Sequence, residues 1–370
     1  MIVQTNPFVY SRPLSPEDVI DRDAEVGELL RLAVGGHYVR LFAPRKYGKT
    51  SLLRRALRDG ERSEGLIPVH VDLYRVMSLI DVVVRFERAY SQQLKGKVRA
   101  RIDSFLQRTG LGLSLGAYGI SARLQLNPRF DAIPALHALL GLPLELEQGG
   151  GFRTLIALDE FQDVSNIPGL DGLLRSHLQH QGEVASYVFA GSEPGLMRQL
   201  FEHKDRPLYG SAVPMRLRRL EDADIAAYVI ERFEQSGRAV GESLGPLLAA
   251  AEGHPKQAML LAHRLWQEVP EGAVGTGAHW ESAFAASLAE LDAEFDAHWR
   301  GLDGSDQKTL RAIVESAGAP YTGAVLARLN LTKSIVQKAL PRLAAKAEIE
   351  LEEGHYRLVD PLFAQWISRG

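Results

Sequence analysis

An octapeptide near the start of the chain has the residue types of a phosphate-binding loop. It reads Ala43-Pro-Arg-Lys-Tyr-Gly-Lys-Thr50 and stands between an apolar run and a segment whose leucines share one helical face. Backbone N–H groups at a helix N-terminus bind phosphate oxygens, because these donors are unpaired and the helix dipole favours negative charge. Lys49 would reach the β- and γ-phosphates, and the Thr50 hydroxyl would ligate Mg²⁺. The predicted nucleotide-binding residues here are Ala43, Pro44, Arg45, Lys46, Tyr47, Gly48, Lys49, Thr50 and Ser51.

Alanine stands at position 43, where such loops usually begin with glycine. If this position needs a positive φ, alanine costs about 1–2 kcal/mol. That is small beside the roughly 8 kcal/mol of micromolar nucleotide binding. The alternative is an ordinary basic turn before a helix, but the flanking strand and helix favour a phosphate loop.

Two acids follow a second apolar run, Phe152 to Leu158. Asp159 would hold Mg²⁺ through water, and Glu160 would polarise the attacking water as a general base. The alternative, that the two acids only cap the next segment, is weakened by the presence of the Lys49 loop. Ser192 follows a third apolar run; it either contacts the γ-phosphate or the water, or is an ordinary loop serine. The predicted catalytic residues are Glu160, Lys49 and Ser192, and the predicted metal ligands are Thr50 and Asp159.

Arginines later in the chain are candidates to stabilise a transferring phosphoryl group, in their own subunit or a neighbouring one. These are Arg206, Arg216, Arg218 and Arg219, although most arginines are only solvated surface. His177 and His180 share a helical face without a third ligand at suitable spacing, so we expect no zinc site.

The elements that position these residues alternate short apolar strands with helical patterns, which predicts a parallel sheet with helices on both faces. The fold class is therefore α/β, of the P-loop NTPase type. The five expected strands are His37–Phe42, Ile67–Leu73, Thr154–Leu158, Ser186–Ala190 and Val213–Leu217. After Leu220 the pattern becomes helical.

The sequence pattern in the last part of the chain predicts three helices, near 305–316, near 322–330 and from Thr332. Each has a Ser or Thr that can cap it. A hairpin around Glu353-Gly354 and a helix after Asp360-Pro361 follow, which is the layout of a winged helix-turn-helix. The third helix carries four cations, and three of them would meet DNA: Lys333, Lys338 and Arg342. Four hairpin glutamates would repel phosphates: Glu348, Glu350, Glu352 and Glu353. Pro341 should bend the helix or cost roughly 3 kcal/mol. DNA contact and protein docking therefore both stay open.

Composition limits the function classes. The 370 residues suggest two or three domains, and 43 Lys+Arg against 46 Asp+Glu give a net charge of −3, so the chain is no polycation built to coat nucleic acid. No cysteine is present, which excludes thiol catalysis and agrees with a reducing compartment. The start lacks a secretory pattern, and the uncharged stretches 111–122 and 132–144 are too short for a membrane span. We expect a soluble, cytoplasmic protein.

These motifs together resemble the archaeal-type ATPase family, a branch of the P-loop ATPases near the STAND regulators and the origin-recognition AAA+ proteins. The resemblance covers nearly the whole chain. It is carried by segments similar to family motifs: Asn6-Pro-Phe8, Ile20-Asp-Arg-Asp-Ala-Glu25, Ala43–Leu52, Leu158-Asp-Glu-Phe-Gln162, Gly191-Ser192 and Gly253-His-Pro255. The resemblance implies that Arg22 and Glu25 help to seat the base and that the turn at Pro255 belongs to a lid that closes on nucleotide. It also implies an ATPase core at 1–219, a helical lid at 220–300 and a winged helix at 301–370.

The function expected from the sequence is an ATP-binding switch with slow hydrolysis, in which ATP or ADP with Mg²⁺ sets the orientation of lid and winged helix. One competing hypothesis is a DNA-remodelling ATPase of the replication or transposition-loader type, which would also use the basic segment from Arg85 to Arg101. Another is a scaffold that binds nucleotide without hydrolysing it. DNA, a protein partner and a second copy of the chain all stay open as partners.

Overall fold

A computed structural model describes residues 5–108 and 131–369. Its first part alternates helices and strands, as the sequence pattern predicts. In chain order the elements are α1 (Asp23–Val34), β1 (Val39–Phe42), α2 (Lys49–Glu64), β2 (Ile67–Asp72), α3 (Leu79–Gln93), α4 (Gly96–Arg108), α5 (Ala132–Gly150), β3 (Thr154–Asp159), α6 (Leu170–Leu178), β4 (Ala185–Gly191), α7 (Pro194–Glu202) and β5 (Val213–Arg216).

The five predicted strands form one sheet in the order β2-β3-β4-β1-β5, and every neighbouring pair is parallel. Phe42 at the end of β1 pairs with Gly191 at the end of β4, and Asp72 at the end of β2 pairs with Asp159 at the end of β3. The carboxyl ends of the strands therefore meet at one edge. This register places the phosphate loop, the acidic pair and Ser192 on neighbouring strand ends.

Helices cover both faces of the sheet, and the central strands β3 and β4 are therefore buried along their whole length. Alternate β3 side chains enter different apolar clusters. Leu155 and Ala157 pack with α1 and α2, whereas Ile156 and Leu158 pack with α3 and α5. The predicted fold class, a parallel sheet between two helical layers, is thereby confirmed.

The second part of the chain consists of two groups of elements. The helical region contains α8 (Asp222–Gln235), α9 (Leu244–Ala251), α10 (Pro255–Glu268) and α11 (Gly277–Arg300). The C-terminal module contains α12 (Gly304–Glu315), α13 (Gly323–Arg328), α14 (Lys333–Ala345), β6 (Ile349–Glu352), β7 (His355–Leu358) and α15 (Pro361–Arg369). The order of helices, hairpin and closing helix is the predicted one.

One apolar cluster joins the N-terminal segment, the helical region and the C-terminal module. The ring of Phe8 lies 5.6 Å from that of Phe233 on α8, and the ring of Phe295 on α11 lies 5.2 Å from that of Phe363 on α15. The two groups of elements thus share buried surface. The three-domain division with boundaries at 219/220 and 300/301 stays a prediction.

The helix caps that the sequence predicts in the C-terminal module are present in part. The Thr332 hydroxyl accepts a hydrogen bond from the backbone N–H of Ile335 (3.3 Å), and Asp360 accepts one from Leu362 (3.0 Å), so both predicted caps form. Helix α12 forms where it was predicted, but the prediction of its cap was wrong, because the N-cap is Asp303 and Ser305 lies within the first turn. Helix α14 continues through Pro341, which is exposed.

No helix in residues 5–108 or 131–369 is both long and apolar enough to cross a bilayer. The uncharged stretch 132–144 lies in α5. The stretch 111–122 lies outside the described residues.

Candidate functional site

The loop between β1 and α2 has the backbone shape of an anion-binding cradle. Lys46 and Gly48 adopt left-handed conformations, with φ of 69° and 82°, and Gly48 is the N-cap of α2. Left-handed residues in such a loop turn successive backbone N–H groups toward one point. The unpaired N–H groups at the start of α2 are further donors for the same anion. Ala43 is not among the described residues with positive φ, so the strain considered for alanine there does not arise.

Lys49 is the charged centre of the site. Its side chain is 6% exposed, and its Nζ lies 2.9 Å from Asp159 Oδ1 and 2.6 Å from Glu160 Oε1. The Thr50 hydroxyl donates to Asp159 Oδ2 at 2.7 Å. The structure therefore brings together the loop after β1 and the acids that end β3, although β4 separates the two strands.

Asp159 is buried, and burial alone would raise its pKa. The neighbouring His70 imidazole, the Lys49 ammonium and the Thr50 hydroxyl outweigh burial and hold the pKa of this carboxyl well below its ordinary value. The carboxylate is therefore ionised near neutral pH. Together with the Thr50 hydroxyl it forms an oxygen donor pair of the kind that Mg²⁺ takes from a protein, the other ligands being phosphates and water.

Glu160 is held in a strained and specific position. Its backbone is left-handed, with φ of 52°, which is uncommon outside glycine and clusters at functional sites. Its Oε2 accepts hydrogen bonds from Gln162 Nε2 (2.6 Å) and from the Ser192 hydroxyl (2.8 Å). The serine that the sequence singled out thus lies directly against the proposed base.

Gln162 was missed by the sequence reasoning. It is buried, and besides binding Glu160 its side-chain oxygen accepts from the backbone N–H of Ser192 at 3.3 Å. The amide therefore ties the end of β3 to the end of β4. The available signal was weak, because Gln162 stands two residues after the acids in a segment that also contains the polar residues Asp163 and Ser165.

A cavity of about 660 Å³ opens over these groups. Its polar lining includes the phosphate loop with Lys49, Thr50, Glu160 and Ser192, and its apolar lining includes Val9, Leu14 and Ile20. Predominantly apolar walls with a few converging polar groups are typical of nucleotide-sized pockets. The donors present therefore fit a nucleoside triphosphate with Mg²⁺.

Two further parts of the wall come from distant segments. Pro255, the predicted lid residue, lines the cavity, as do Lys256 and Met259 from the same helix α10. The backbone N–H of Leu14 donates to the Ser51 hydroxyl at 3.0 Å, which ties the N-terminal segment to α2. Lys256 and the 9–14 segment were not predicted, because neither has a motif of its own.

Arg22, implied by the family resemblance, is buried and lines the same cavity. Its guanidinium lies 2.6 Å from Glu25 Oε1 and donates to the backbone oxygen of Arg218 at 2.6 Å. It therefore joins α1 to the segment between β5 and α8. A role of Arg22 and Glu25 in seating a base stays a prediction.

Three of the four candidate arginines are bound elsewhere. Arg206 pairs with Asp171 at 3.0 Å, and Arg216 and Arg219 pair with Glu350 of the hairpin at 3.2 and 2.7 Å. Among the described residues that line the cavity, none is one of these four arginines. The structure thus gives them no role at the phosphate end within one chain.

His254 connects the phosphate loop to the helical region. Its Nδ1 caps α10 by accepting from the backbone N–H of Gln257, and its ring lies 4.9 Å from that of Tyr47. The preceding Gly253 has a φ of 70°, and a Cβ there would lie 2.4 Å from the backbone oxygen of Leu220. Only glycine fits this turn, which holds α10 against the sheet.

We expect His254 to make stability depend on pH. Burial lowers its pKa from 6.5 to about 4; Asp360 opposes this and the cations Arg219 and Lys46 reinforce it. Between these values the unfolded chain binds a proton at this imidazole and the folded chain does not, so stability present above pH 6.5 is lost as the pH falls toward 4. The contribution is at most about 3 kcal/mol.

The test is urea unfolding of the wild type and His254→Asn between pH 4 and 7. Asparagine is a neutral N-cap, so the difference in free energy of unfolding between the two proteins should narrow as the pH falls. From pH 7 to 8.5 the imidazole is neutral in both states, and the difference should stay constant. A difference that is constant over the whole range would contradict the assignment.

The strand order, the loop between β1 and α2 and the acids that end β3 together define a P-loop NTPase fold. Comparisons of the sequence with protein-family models and with curated proteins find no match. Solved structures of similar fold do exist.

A Walker-type ATPase of Pyrococcus abyssi is similar with a TM-score of 0.70 at 18% identity, over 97% of this chain and 99% of that one. The ORC2 protein of Aeropyrum pernix, in its ADPNP-ADP complexes, is similar with a TM-score of 0.60 at 16% identity, over 98% and 96% of the two chains. Its ADP form gives 0.53 at 14% identity, over 97% and 96%. The chain therefore has the fold of archaeal Walker-type and ORC-like P-loop ATPases.

Proposed function

We propose that this protein is a Mg-ATP-binding switch that hydrolyses ATP slowly. The observation that carries the proposal is the convergence of the Lys49 ammonium, the Thr50 hydroxyl and two carboxylates at one edge of the sheet, in a cavity that helix α10 also lines. In this proposal residues 1–219 are the ATPase core, 220–300 a lid and 301–370 a winged helix.

Each side chain has a role in the proposed reaction. Lys49 would bind the β- and γ-phosphates, and Thr50 and Asp159 would hold Mg²⁺, which would neutralise charge on the phosphate oxygens. Glu160 accepts the proton of the attacking water, and Ser192 orients either that water or Glu160 itself. Gln162 acts as a positioning residue, because it holds both Glu160 and Ser192.

The proposed switch is supported by a cavity that two parts of the protein line. Its phosphate end belongs to the sheet, whereas Pro255, Lys256 and Met259 belong to α10. A ligand shifts an equilibrium between two arrangements only by its differential affinity for them. A γ-phosphate at the Lys49 end would change how the nucleotide contacts the two parts, and the apolar core shared by the helical region and the C-terminal module would transmit the movement.

The experiment is a calorimetric titration with Mg-ATP and Mg-ADP, combined with phosphate release and small-angle X-ray scattering in each nucleotide state. The switch predicts binding of both, slow phosphate release and different scattering profiles. Binding without release would instead support the nucleotide-binding scaffold. Absence of binding would overturn the proposal.

DNA binding is a second candidate function, favoured by the surface of α14. Lys333 and Lys338 are exposed there. Arg342 was grouped with them, but it pairs with the buried carboxylate of Asp306 at 2.5 Å and is needed within the module. Glu350, expected to repel phosphates, is instead ion-paired with arginines of the core. The two lysines are thus the cations of α14 most suited to a phosphate backbone.

A double variant, Lys333→Gln with Lys338→Gln, tests this candidate. Each phosphate contact contributes about 0.9 to the slope of log binding constant against log salt. We expect the slope for duplex DNA to fall by roughly two, measured by fluorescence anisotropy. Lys308→Gln on the exposed surface of α12 is the matched control and should leave the slope unchanged. An unaltered slope in the double variant would exclude α14 as the DNA contact.

A further inference from the structure

Three consecutive residues of the phosphate loop contact three different parts of the protein. Arg45 pairs with Glu193 at the start of α7 at 3.0 Å, and Lys46 forms an ion pair with Glu294 of α11. Tyr47 packs on His254 and donates its hydroxyl to Glu350 Oε1 of the hairpin at 3.4 Å. The loop is therefore held by the core, the helical region and the hairpin through three consecutive side chains.

The hairpin reaches the loop through one carboxylate surrounded by cations. Glu350 is 10% exposed and accepts hydrogen bonds from Arg219 Nε (2.7 Å), Arg357 Nε (2.9 Å) and Arg216 (3.2 Å). Burial would raise the pKa of this carboxyl, but the arginines keep the pKa below its ordinary value. Charge-assisted hydrogen bonds of this kind are the stronger ones in proteins.

Arg219 holds the hairpin through backbone hydrogen bonds as well as through its ion pair with Glu350. It is almost fully buried, and it also donates to the backbone oxygens of Glu252 (2.7 Å), Leu358 (2.9 Å) and Val359 (3.0 Å). One side chain thus binds the turn before α10, the end of β7 and the carboxylate that touches Tyr47. Movement of the hairpin and movement of the loop are mechanically linked at this point.

The docked hairpin does not obstruct the nucleotide cavity. Among the described residues that line it, none belongs to β6 or β7, whereas Tyr47 does line it. Tyr47 is buried, and burial raises its pKa well above the ordinary value, so the hydroxyl is a neutral donor. The hairpin therefore contacts the loop from outside the cavity.

We propose that the hairpin braces the phosphate loop through Glu350 and Tyr47, so that hairpin docking and Mg-ATP binding promote each other. The proposal rests on the proposed function and adds the residues and the direction of the coupling. Holding a binding loop in one conformation removes the ordering cost from the binding step. Since coupling between two sites is reciprocal, nucleotide must in turn favour the docked hairpin.

The first test needs no nucleotide. Glu350→Gln removes the charge that the three arginines hold, and Glu353→Gln makes the same chemical change at the exposed tip of the hairpin. We expect Glu350→Gln to accelerate backbone hydrogen exchange both in the hairpin and in residues 43–50, and Glu353→Gln to leave both as in the wild type. Faster exchange confined to the hairpin would overturn the brace.

The second test measures Mg-ATP affinity by calorimetry in the full-length proteins. Glu350→Gln should weaken binding roughly tenfold, within the usual range of coupling between sites. Saturating Mg-ATP should also slow hairpin exchange in the wild type and do so much less in the variant. Unchanged affinity in a folded Glu350→Gln protein would overturn the brace while leaving the proposed function intact. No binding by the wild type would overturn the proposed function, and the coupling with it.

Tyr47→Phe tests the same contact from the other side and keeps the proposal testable if Glu350→Gln does not fold. It keeps the ring against His254 and the arginines around Glu350 and removes only the hydroxyl. We expect about threefold weaker Mg-ATP binding, the usual scale of one hydrogen bond. Equal affinity in Tyr47→Phe and the wild type would show that the hydroxyl carries no coupling and would overturn its place in the brace.

Discussion

Replacing Lys49 with alanine abolishes measurable Mg-ATP binding, which we expect as a rise of at least a hundredfold in the dissociation constant. Its ammonium lies between the phosphate loop and both acids at the strand ends. Hydrogen bonds to charged groups contribute about 1.5–3 kcal/mol each, and Lys49 would make two or more to phosphate oxygens. Calorimetric titration in excess Mg²⁺ measures the effect.

The same substitution also affects folding, and the test must separate the two. Alanine leaves Asp159 buried without its counter-charge, and breaking a buried pair costs about 3–5 kcal/mol. Near-UV circular dichroism and a thermal melt should show a folded but less stable protein. Arg54→Ala removes a cation from the exposed face of the same helix and should bind Mg-ATP normally. Wild-type affinity in a folded Lys49→Ala protein would contradict the phosphate role of Lys49.

The sheet and its loop could be predicted from the sequence because their signals are local. Each central strand is a short apolar run, since both faces of a parallel sheet are buried, and the structure places all five where those runs lie. The parallel order then brings strand ends to one edge, so Asp159 and the Lys49 loop were expected together and lie 2.9 Å apart. The order of helices, hairpin and closing helix in the C-terminal module likewise followed from helix caps and a two-residue turn.

What the sequence could not provide are contacts between distant segments. Glu350 was interpreted as a repulsive charge on an exposed wing, because an alternating strand does not reveal which partner its acid faces. In the structure three arginines surround it. Arg342 was assigned to DNA for the same reason, although Asp306 lies 36 residues away in sequence and beside it in space. Long-range ion pairs have no sequence period, so only the fold shows them.

Replacing Glu160 with glutamine should leave Mg-ATP binding intact and reduce turnover by at least a hundredfold. General-base catalysis typically contributes about 10²–10⁴-fold, and an amide cannot accept the proton of the attacking water. Glutamine keeps the size of the side chain and one oxygen that can accept from Gln162 and Ser192, whereas its amide N–H₂ cannot accept from Lys49 and that contact is lost. Lys49 keeps its pairing with Asp159, which explains why phosphate binding survives.

Single-turnover phosphate release, measured with enzyme in excess over ATP, separates the chemical step from product release. Glu183→Gln makes the same change on an exposed residue before β4 and should hydrolyse ATP at the wild-type rate. A Glu160→Gln protein that binds ATP and releases phosphate at that rate would remove Glu160 from the catalytic role and leave its strained backbone unexplained. If Glu160→Gln slows phosphate release but keeps the affinity for Mg-ATP, the variant stays in the ATP-bound state. Backbone hydrogen exchange of the hairpin, measured in that state, then reports the coupling between hairpin and nucleotide without hydrolysis.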